Sequence, residues 1–125
     1  MRDRPLVLVI DDSGDAVEVY DIALTLEGFT VEGASNGQEG LRKAIDLRPD
    51  IIITDLAMPV MDGWETIRQL RADDRTRRIP IIACSGGDEP PRTRDGWVDA
   101  VLAKPCPLEV LLQEVQRLLR RSSAA

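Results

Sequence analysis

The chain has 125 residues, of which 43% are hydrophobic and 3% aromatic, and its net charge is −6. This length fits a single domain over residues 1–125, whose aliphatic core is large enough to need no disulfide bonds. The acidic balance disfavours a phosphate backbone as ligand, and every apolar stretch is far shorter than the ~20 residues of a membrane helix, which predicts a cytoplasmic protein without direct contact to nucleic acid or membrane.

The first half of the chain predicts two strand–helix units in succession. A strand over residues 6–10 precedes a helix over 15–27, which Gly28 ends, and a strand over 29–34 precedes a helix over 37–47. This alternation indicates crossover connections between parallel strands. The apolar residues at helical spacing are Val19, Ile22, Ala23 and Leu26 in the first helix, and Leu41, Ala44 and Ile45 in the second.

The second half continues the same alternation. Strands are expected over residues 50–54, 80–84 and 100–103, with helices that start near Asp62 and after Pro107. The apolar positions are Trp64, Ile67 and Leu70 in the third helix, and the buried residues of the last helix are expected to be Leu108, Leu111, Leu112, Val115, Leu118 and Leu119.

The segment over residues 85–96 does not fit this alternation. It contains a Gly-Gly pair and a Pro-Pro pair, which are typical of loops, and it leaves room for barely one helical turn. We therefore expect a fourth helix that is short, irregular or mobile.

Polar residues stand where the predicted strands end. Short strands joined by crossover helices form a parallel sheet with right-handed connections, and the carboxyl ends of its strands all lie on one edge. Asp11, Asp12, Asp55, Ser85 and Lys104 each come just past the end of a predicted strand. An α/β fold with five parallel strands therefore predicts that these five residues converge in one site.

The types of these residues are chemically complementary. Crowded carboxylates repel one another unless a divalent cation or a proton compensates, and Mg²⁺ takes one or two protein carboxylates together with water and phosphate oxygens. A carboxylate at Asp55 can attack phosphorus to form an acyl phosphate. The ammonium group of Lys104 and the hydroxyl of Ser85 can neutralise the oxygens of the transferring group.

Each of these residues also has a structural interpretation. Asp12 or Ser13 is expected to cap the first helix, although a cap explains only one of the two neighbouring acids. Lys104 would otherwise be a surface lysine, and Ser85 a loop hydroxyl bonded to backbone. Two arginine clusters are expected to be solvated faces, with partner docking as the alternative: Arg75, Arg77 and Arg78, and Arg117, Arg120 and Arg121.

The chain contains no histidine, which excludes Ser-His and Cys-His nucleophile pairs and the commonest catalytic zinc sites. Any histidine chemistry must come from a partner. Cys84 and Cys106 match no zinc, redox or disulfide spacing and are expected to be small packed thiols.

These motifs resemble the receiver domain of bacterial two-component response regulators over essentially the whole chain. The resemblance rests on Asp11-Asp12, Asp55 with Met58-Pro59 and Asp62-Gly63, Ser85, and Lys104-Pro105. It implies a flavodoxin-like, doubly wound five-stranded parallel sheet of order 2-1-3-4-5, flanked by helices. It also implies that residues 1–125 form a single receiver domain.

The resemblance further implies roles for the site residues. Asp55 is expected to accept a phosphoryl group from a histidine kinase or a phosphotransfer protein, with Mg²⁺ as the required cofactor. Lys104 is expected to contact the phosphoryl group, and Ser85 to bond it in the active state. The implied metal ligands are Asp12 and Asp55 directly, Asp11 through water, and the backbone carbonyl of Ala57.

The chain departs from the family pattern at the position that is associated with output. Val101 stands three residues before the lysine, where the family usually has a Tyr or Phe that turns inward on activation. Trp97 comes too early in the chain to replace that aromatic. We therefore expect activation mainly to order the loop over residues 86–95.

Three classes of function fit these acids. We favour a phospho-accepting receiver, a monomer or weak dimer that is no enzyme beyond its own phosphorylation and dephosphorylation. A receiver-like module that signals without phosphorylation would lack an acid or the lysine, and none is lacking. An aspartyl-phosphate hydrolase expects its two acids two residues apart after the first strand, and Ser13 occupies the second of those positions.

Overall fold

The computed structural model describes residues 3–58, 61–86 and 97–123, with side chains described as far as residue 121. Its elements are β1 (Leu6–Ile10), α1 (Gly14–Leu26), β2 (Thr30–Ala34), α2 (Gly37–Leu47), β3 (Ile51–Asp55), α3 (Gly63–Ala72), β4 (Ile81–Ser85), β5 (Ala100–Ala103) and α4 (Leu108–Ser123). None of the described helices is long and apolar enough to cross a membrane. The irregular helix expected between β4 and β5 falls on residues outside the described ranges.

The five strands form one parallel sheet in the order β2-β1-β3-β4-β5, which confirms the predicted flavodoxin-like fold. Parallel strands place all their carboxyl ends on the same edge of the sheet. The carboxyl edge is formed by the last strand residues, Ile10, Ala34, Asp55, Ser85 and Ala103. The amino edge is formed by the first strand residues, Leu6, Thr30, Ile51, Ile81 and Ala100.

The two faces of β1 belong to two separate cores. Side chains alternate along a strand, so Val7 and Val9 share a core cluster with residues of α1 and α4, whereas Leu8 and Ile10 share the other cluster with residues of α2 and α3. All five residues of β1 are buried. A strand that is covered on both faces is apolar at every position, which accounts for the uninterrupted apolar run in the sequence.

Helices α1, α2 and α3 start near the carboxyl edge, each with a side-chain cap. The caps are Ser13, Asn36 and Asp62, whose side-chain oxygens accept from the backbone N–H groups of Ala16, Glu39 and Glu65 at 3.3, 2.8 and 2.8 Å. Each cap satisfies an N–H group that the helix leaves without a partner and contributes about 1 kcal/mol. Because Ser13 caps α1, capping explains neither Asp11 nor Asp12.

Two strands end one residue later than the sequence predicts. Asp55 is the last residue of β3 and Ser85 the last residue of β4, although both were expected just past a strand. The sheet pairing continues to the edge, since the N–H group of Leu56 donates to the carbonyl of Cys84 at 3.0 Å. The backbone of Asp55 is therefore fixed within the sheet.

The apolar face of α1 is not the one that helical spacing indicates. The buried residues of α1 are Tyr20 and Leu24, one helical turn apart, and the partly buried Val17 packs against the same core cluster. The spacing of apolar residues in α1 therefore fits two faces of the helix, and burial selects only one. Val19, Ile22 and Leu26 of α1 are exposed, although their spacing indicates the apolar face of the helix. Leu108 at the start of α4 is also exposed, although the sequence predicts it to be buried.

Candidate functional site

The carboxyl edge brings together the acids that follow β1 and end β3. Asp11 is 3% exposed and Asp55 7% exposed, whereas Asp12 faces solvent. The N–H group of Asp11 donates to the carbonyl of Ala34 at 3.0 Å, which extends the pairing of β1 with β2 and fixes Asp11 in place. One carboxylate oxygen from each of Asp11, Asp12 and Asp55 lies within 4.8 Å of the other two. The predicted convergence of the three acids is therefore present in the fold.

Lys104 lies between the two buried carboxylates. Its Nζ is 2.8 Å from Asp11 Oδ2 and 3.4 Å from Asp55 Oδ2. Its backbone N–H group donates to the carbonyl of Ser85 at 2.7 Å, which ties the residue after β5 to the end of β4. Burial alone would lower the pKa of Lys104, but the hydrogen bond to Asp11 and the charges of Asp11 and Asp55 outweigh it and raise the pKa above its usual value. Lys104 is therefore a fixed cation.

Asp55 is the carboxylate whose charge the site accommodates least well. Burial raises the pKa of Asp55 and the charge of Asp11 raises it further, while Lys104 and the N–H group of Ala57 act in the opposite direction. That N–H group is 3.4 Å from Asp55 Oδ1, a long contact for a hydrogen bond. An additional cation beside Asp55 would stabilise its ionised form.

Asp11 is held more tightly than Asp55. Its Oδ1 accepts from the N–H group of Ser13 at 2.9 Å, and its Oδ2 accepts from Lys104 at 2.8 Å. Both oxygens of Asp11 thus have a partner within the protein. Asp11 positions the ammonium group of Lys104, and Asp55 keeps more freedom to bind another group.

Gly63 allows α3 to start against the end of β3. A Cβ at this position would lie 2.2 Å from the carbonyl oxygen of Asp55 and 2.6 Å from the Cα of Leu56. The N–H group of Gly63 donates to the carbonyl of Leu56 at 3.0 Å. The Asp-Gly pair that the sequence shows here therefore does more than form a turn, because any side chain would push the helix away from the site.

The remaining predicted residues also lie at the carboxyl edge. Ser85 is half-buried at the end of β4, beside Lys104, and Ala57 is exposed two residues after Asp55. The roles expected for the Ser85 hydroxyl and the Ala57 carbonyl stay predictions.

Val101 is 42% exposed on β5, opposite Ala83. The loop that we expect to respond to activation lies outside the described residues, apart from its first residue.

An apolar groove beside Lys104 is a feature that the sequence did not predict. Its walls come from α1 and from the connection between β5 and α4, and they include Val19, Tyr20, Pro105 and Cys106. Burial raises the pKa of Tyr20 to about 12, so its ring is a neutral part of the groove wall. The sequence signal for this groove is the set of apolar residues of α1 that are exposed in the structure. Their helical spacing led us to predict that they form the apolar face toward the core, which is wrong.

Both cysteines behave as the sequence predicts. Cys84 and Cys106 are free thiols, and both belong to or pack against the core cluster between the sheet, α1 and α4. Burial raises the pKa of Cys84 to about 12 and also raises that of Cys106. Since the thiolate is the reactive form, neither group is suited to nucleophilic chemistry at neutral pH.

A parallel sheet of this order, with acids and one lysine gathered on its carboxyl edge, is the architecture of a receiver domain. The family model described as the response regulator receiver domain matches residues 7–116, and the chain belongs to this family. Receiver domains of this family act in two-component systems, where they take phosphoryl groups from histidine kinases.

Named relatives are response regulators from several bacteria. The chain is 38% identical over 121 residues to the transcriptional regulatory protein PrrA of Mycobacterium leprae, covering 96% of this chain and 52% of that protein. It is 35% identical over 121 residues to the DNA-binding dual master transcriptional regulator RpaA of Synechocystis, covering 94% of this chain and 50% of that protein. The chain therefore spans about half the length of the curated relatives it matches.

Solved structures give the same assignment. The chemotaxis response regulator CheY4 of Vibrio cholerae superposes with a TM-score of 0.84 at 32% identity, covering 92% of this chain and 98% of that one. The receiver domain of a signal transduction histidine kinase from Syntrophus aciditrophicus superposes with a TM-score of 0.86 at 34% identity, covering 93% of this chain and 90% of that one.

Proposed function

We propose that the chain, as a single receiver domain over residues 1–125, accepts a phosphoryl group on Asp55 from a histidine kinase or a phosphotransfer protein. The observation that carries the proposal is the position of Asp55, which shares one cation with Asp11 and lies in a group of three carboxylates. No other described group of acids combines this crowding with a buried lysine contact. A phosphoryl group on Asp55 would meet Lys104 at once.

The acid cluster fits a divalent cation by its chemistry. Its three carboxylates offer only oxygen ligands, which Mg²⁺ prefers, and the exposed Asp12 gives the cluster a side open to water. Asp12 and Asp55 would bind Mg²⁺ directly, Asp11 through water and Ala57 through its carbonyl. When bound, Mg²⁺ supplies positive charge that offsets the negative charge of the transferring phosphoryl group.

The transfer forms one bond and breaks one. A carboxylate oxygen of Asp55 attacks the phosphorus of the partner's phosphohistidine, the P–N bond breaks, and the imidazole nitrogen keeps the electron pair and takes a proton. Lys104 then pairs with a phosphoryl oxygen, and the hydroxyl of Ser85 donates to another. Hydrolysis of the acyl phosphate returns the free aspartate, so the chain turns over no substrate besides its own phosphoryl group.

The groove beside Lys104 supports docking of the donor. The chain has no histidine, so the donor must bring its phosphohistidine to within bonding distance of Asp55. Exposed apolar residues of α1, Val19 and Ile22 among them, extend the apolar surface from the groove. A helical partner with an apolar face would cover this surface and deliver its histidine to the carboxyl edge.

We further infer that these residues form a monomer or weak dimer in the cytoplasm. They do not bind nucleic acid directly, because a net charge of −6 disfavours contact with a phosphate backbone. The relatives named for transcription or DNA binding are about twice as long. The downstream target of the phosphorylated form is then another protein or another part of a longer chain.

Intact-mass measurement after incubation with acetyl phosphate tests the assignment of Asp55. We expect the mass of one phosphoryl group to be added in Mg²⁺ and none in chelator, and none on an Asp55→Asn variant. Asp46→Asn, a change of the same type on the exposed side of α2, should label like the parent. Beryllofluoride should bind the parent only when Mg²⁺ is present. Undiminished labelling of Asp55→Asn, or labelling in chelator, would remove the proposal.

A second experiment distinguishes docking of the donor protein from the chemistry of phosphoryl transfer. Ile22→Glu should slow transfer from a phosphorylated phosphotransfer protein and leave labelling by acetyl phosphate unchanged, because a charge on the apolar surface disturbs docking alone. Glu18→Gln, on the same helix, is the control. If Ile22→Glu slows both reactions equally, the surface has no special role in docking.

A further inference from the structure

A second group of like charges lies at the amino edge of the sheet. A cavity of about 250 Å³ is lined there by Arg71, Arg77, Arg78 and Arg121, with Asp99 and two apolar side chains completing the wall. Arg71 is half-buried, whereas Arg77, Arg78 and Arg121 are exposed, so the cavity opens to solvent beside positively charged side chains. This cavity is at the opposite end of the strands from Asp55, and it has no part in the phosphorylation described above.

The fold creates this arrangement from two distant parts of the sequence. Arg77 and Arg78 come from the connection between α3 and β4, whereas Arg121 comes from the end of α4. In the sequence these residues belong to two separate arginine clusters, and both clusters are expected to be solvated faces. Their convergence on one cavity in a chain of net charge −6 favours the alternative, a docking role.

One of the four arginines is already satisfied. Arg71 donates to the carbonyls of Trp97, Arg77 and Ile79 at 2.8, 2.8 and 2.7 Å, and to Asp99 Oδ2 at 3.2 Å. These bonds hold Arg71 rigidly in the wall of the cavity. They also compensate the negative charge of Asp99, so that this carboxylate does little to repel an incoming anion.

The other arginines keep donors available. Arg77 lies 3.4 Å from Asp74, whose side chain is 89% exposed, so that pair is weak. Among the residues that the structure describes, no carboxylate lies within ion-pair distance of Arg78 or Arg121. The positive charges of arginines that line one cavity repel one another, and an anion bound there would offset that repulsion more fully than Asp99 alone.

We propose that this cavity binds a small anion with two or more phosphoryl groups. Arginine forks bind phosphate oxygens in pairs, and several forks facing one space suit a ligand with several such groups. The lining contains no aromatic side chain on which a nucleobase could stack. Its volume is also below the ~300–1,000 Å³ that is usual for larger organic ligands.

Calorimetric titration with inorganic tripolyphosphate, in chelator and at low salt, tests the proposal. We expect saturable binding of one tripolyphosphate per chain. Arg78→Gln and Arg121→Gln should each weaken it roughly tenfold or more, since each removes charge-assisted hydrogen bonds. Arg120→Gln is the matched control, because Arg120 is adjacent to Arg121 and equally exposed but absent from the cavity lining. It should change the affinity by no more than about threefold.

Three results would overturn the site. If no saturable heat is measured up to millimolar tripolyphosphate, the arginines form a solvated face and not a binding site. Equal weakening by Arg120→Gln and Arg121→Gln means that binding reflects net charge rather than the cavity. Loss of binding in Lys104→Ala places the ligand at the carboxyl edge, where Lys104 is the cation beside the acids. Because the titration is run on unphosphorylated protein without Mg²⁺, its failure leaves the proposed function of Asp55 untouched.

Discussion

The two edges of the sheet treat buried charge in opposite ways. At the amino edge, each nitrogen of the Arg71 guanidinium donates to the protein, to three carbonyls and one carboxylate in all, although burial still lowers its pKa. At the carboxyl edge, Asp11 and Asp55 share the single ammonium group of Lys104, and Asp12 adds a third negative charge nearby. A compensated charge stabilises the fold, whereas an uncompensated charge leaves binding capacity for a ligand.

Replacement of Arg71 by Met should have the largest effect on stability. It removes four hydrogen bonds and leaves Asp99 without its guanidinium partner, so we expect the free energy of unfolding to fall by about 4 kcal/mol. Chemical denaturation measures this change. Arg68→Met is the control, since Arg68 is an exposed partner of Glu65 and its loss should leave the free energy of unfolding nearly unchanged. Equal costs for both variants would show that the Arg71 bonds contribute little.

Gly63→Ala should disturb the carboxyl edge almost as strongly. The added Cβ would collide with backbone atoms of β3, which cannot move cheaply, so we expect a loss of about 3 kcal/mol together with slower phosphorylation. Gly14→Ala is the matched control, because Gly14 also begins a helix at this edge and has no neighbouring atom within 4 Å of its Cβ position. A normal phosphorylation rate in Gly63→Ala would mean that α3 does not shape the site.

Asp55→Asn should change stability in the opposite direction. The raised pKa of Asp55 means that its ionised form is disfavoured in the folded state, so the neutral amide should stabilise the protein in chelator at pH 7 by about 1 kcal/mol. Below pH 3.8, the usual pKa of Asp, both side chains are neutral and the difference should vanish. Denaturation curves across this pH range check the sign. A variant that is less stable than the parent at pH 7 would contradict the contrast between the edges.

Lys104→Ala should change phosphorylation more than folding. Its loss leaves the buried carboxylates of Asp11 and Asp55 without their ammonium partner, but water reaches the 27% exposed side chain, so the free energy of unfolding should fall by only about 1 kcal/mol. Phosphorylation by acetyl phosphate should nevertheless slow roughly tenfold or more, because the transferring group loses its ammonium partner. Lys43→Ala, the other lysine of the chain, removes ion pairs with Glu32 and Glu39 and should phosphorylate normally. An unstable Lys104→Ala that phosphorylates at the parent rate would make Lys104 structural.

The sequence predicted the carboxyl edge better than the amino edge for a physical reason. Asp11, Asp55 and Lys104 each follow an apolar run, and parallel topology alone places the ends of such runs together. Three of the four partners of Arg71 are backbone carbonyls, which carry no signature in the sequence, and both Trp97 and Asp99 are distant along the chain. The close approach of Gly63 to β3 depends on where α3 packs against the sheet, which the sequence does not show either.

The face of α1 could not be predicted from spacing for a different reason. Apolar residues stand at helical spacing on two faces of α1, and only contact with the sheet shows that Tyr20 and Leu24 are the buried ones. The residues left exposed, Val19, Ile22 and Leu26, lie on the surface that we assign to the donor. Helix α1 has more apolar residues than its contact with the core requires. This excess explains both the wrong prediction of its buried face and the apolar surface that stays exposed.

The burial of β1 on both faces has a consequence for folding. A strand with alternating polar and apolar residues cannot shift by one position without exposing its apolar side, but β1 is apolar throughout and has no such safeguard. A shifted alignment is prevented because it would carry Asp11 into the core. Asp11 therefore also specifies strand alignment, and Asp11→Leu should show, by stopped-flow fluorescence, a refolding phase that the parent lacks.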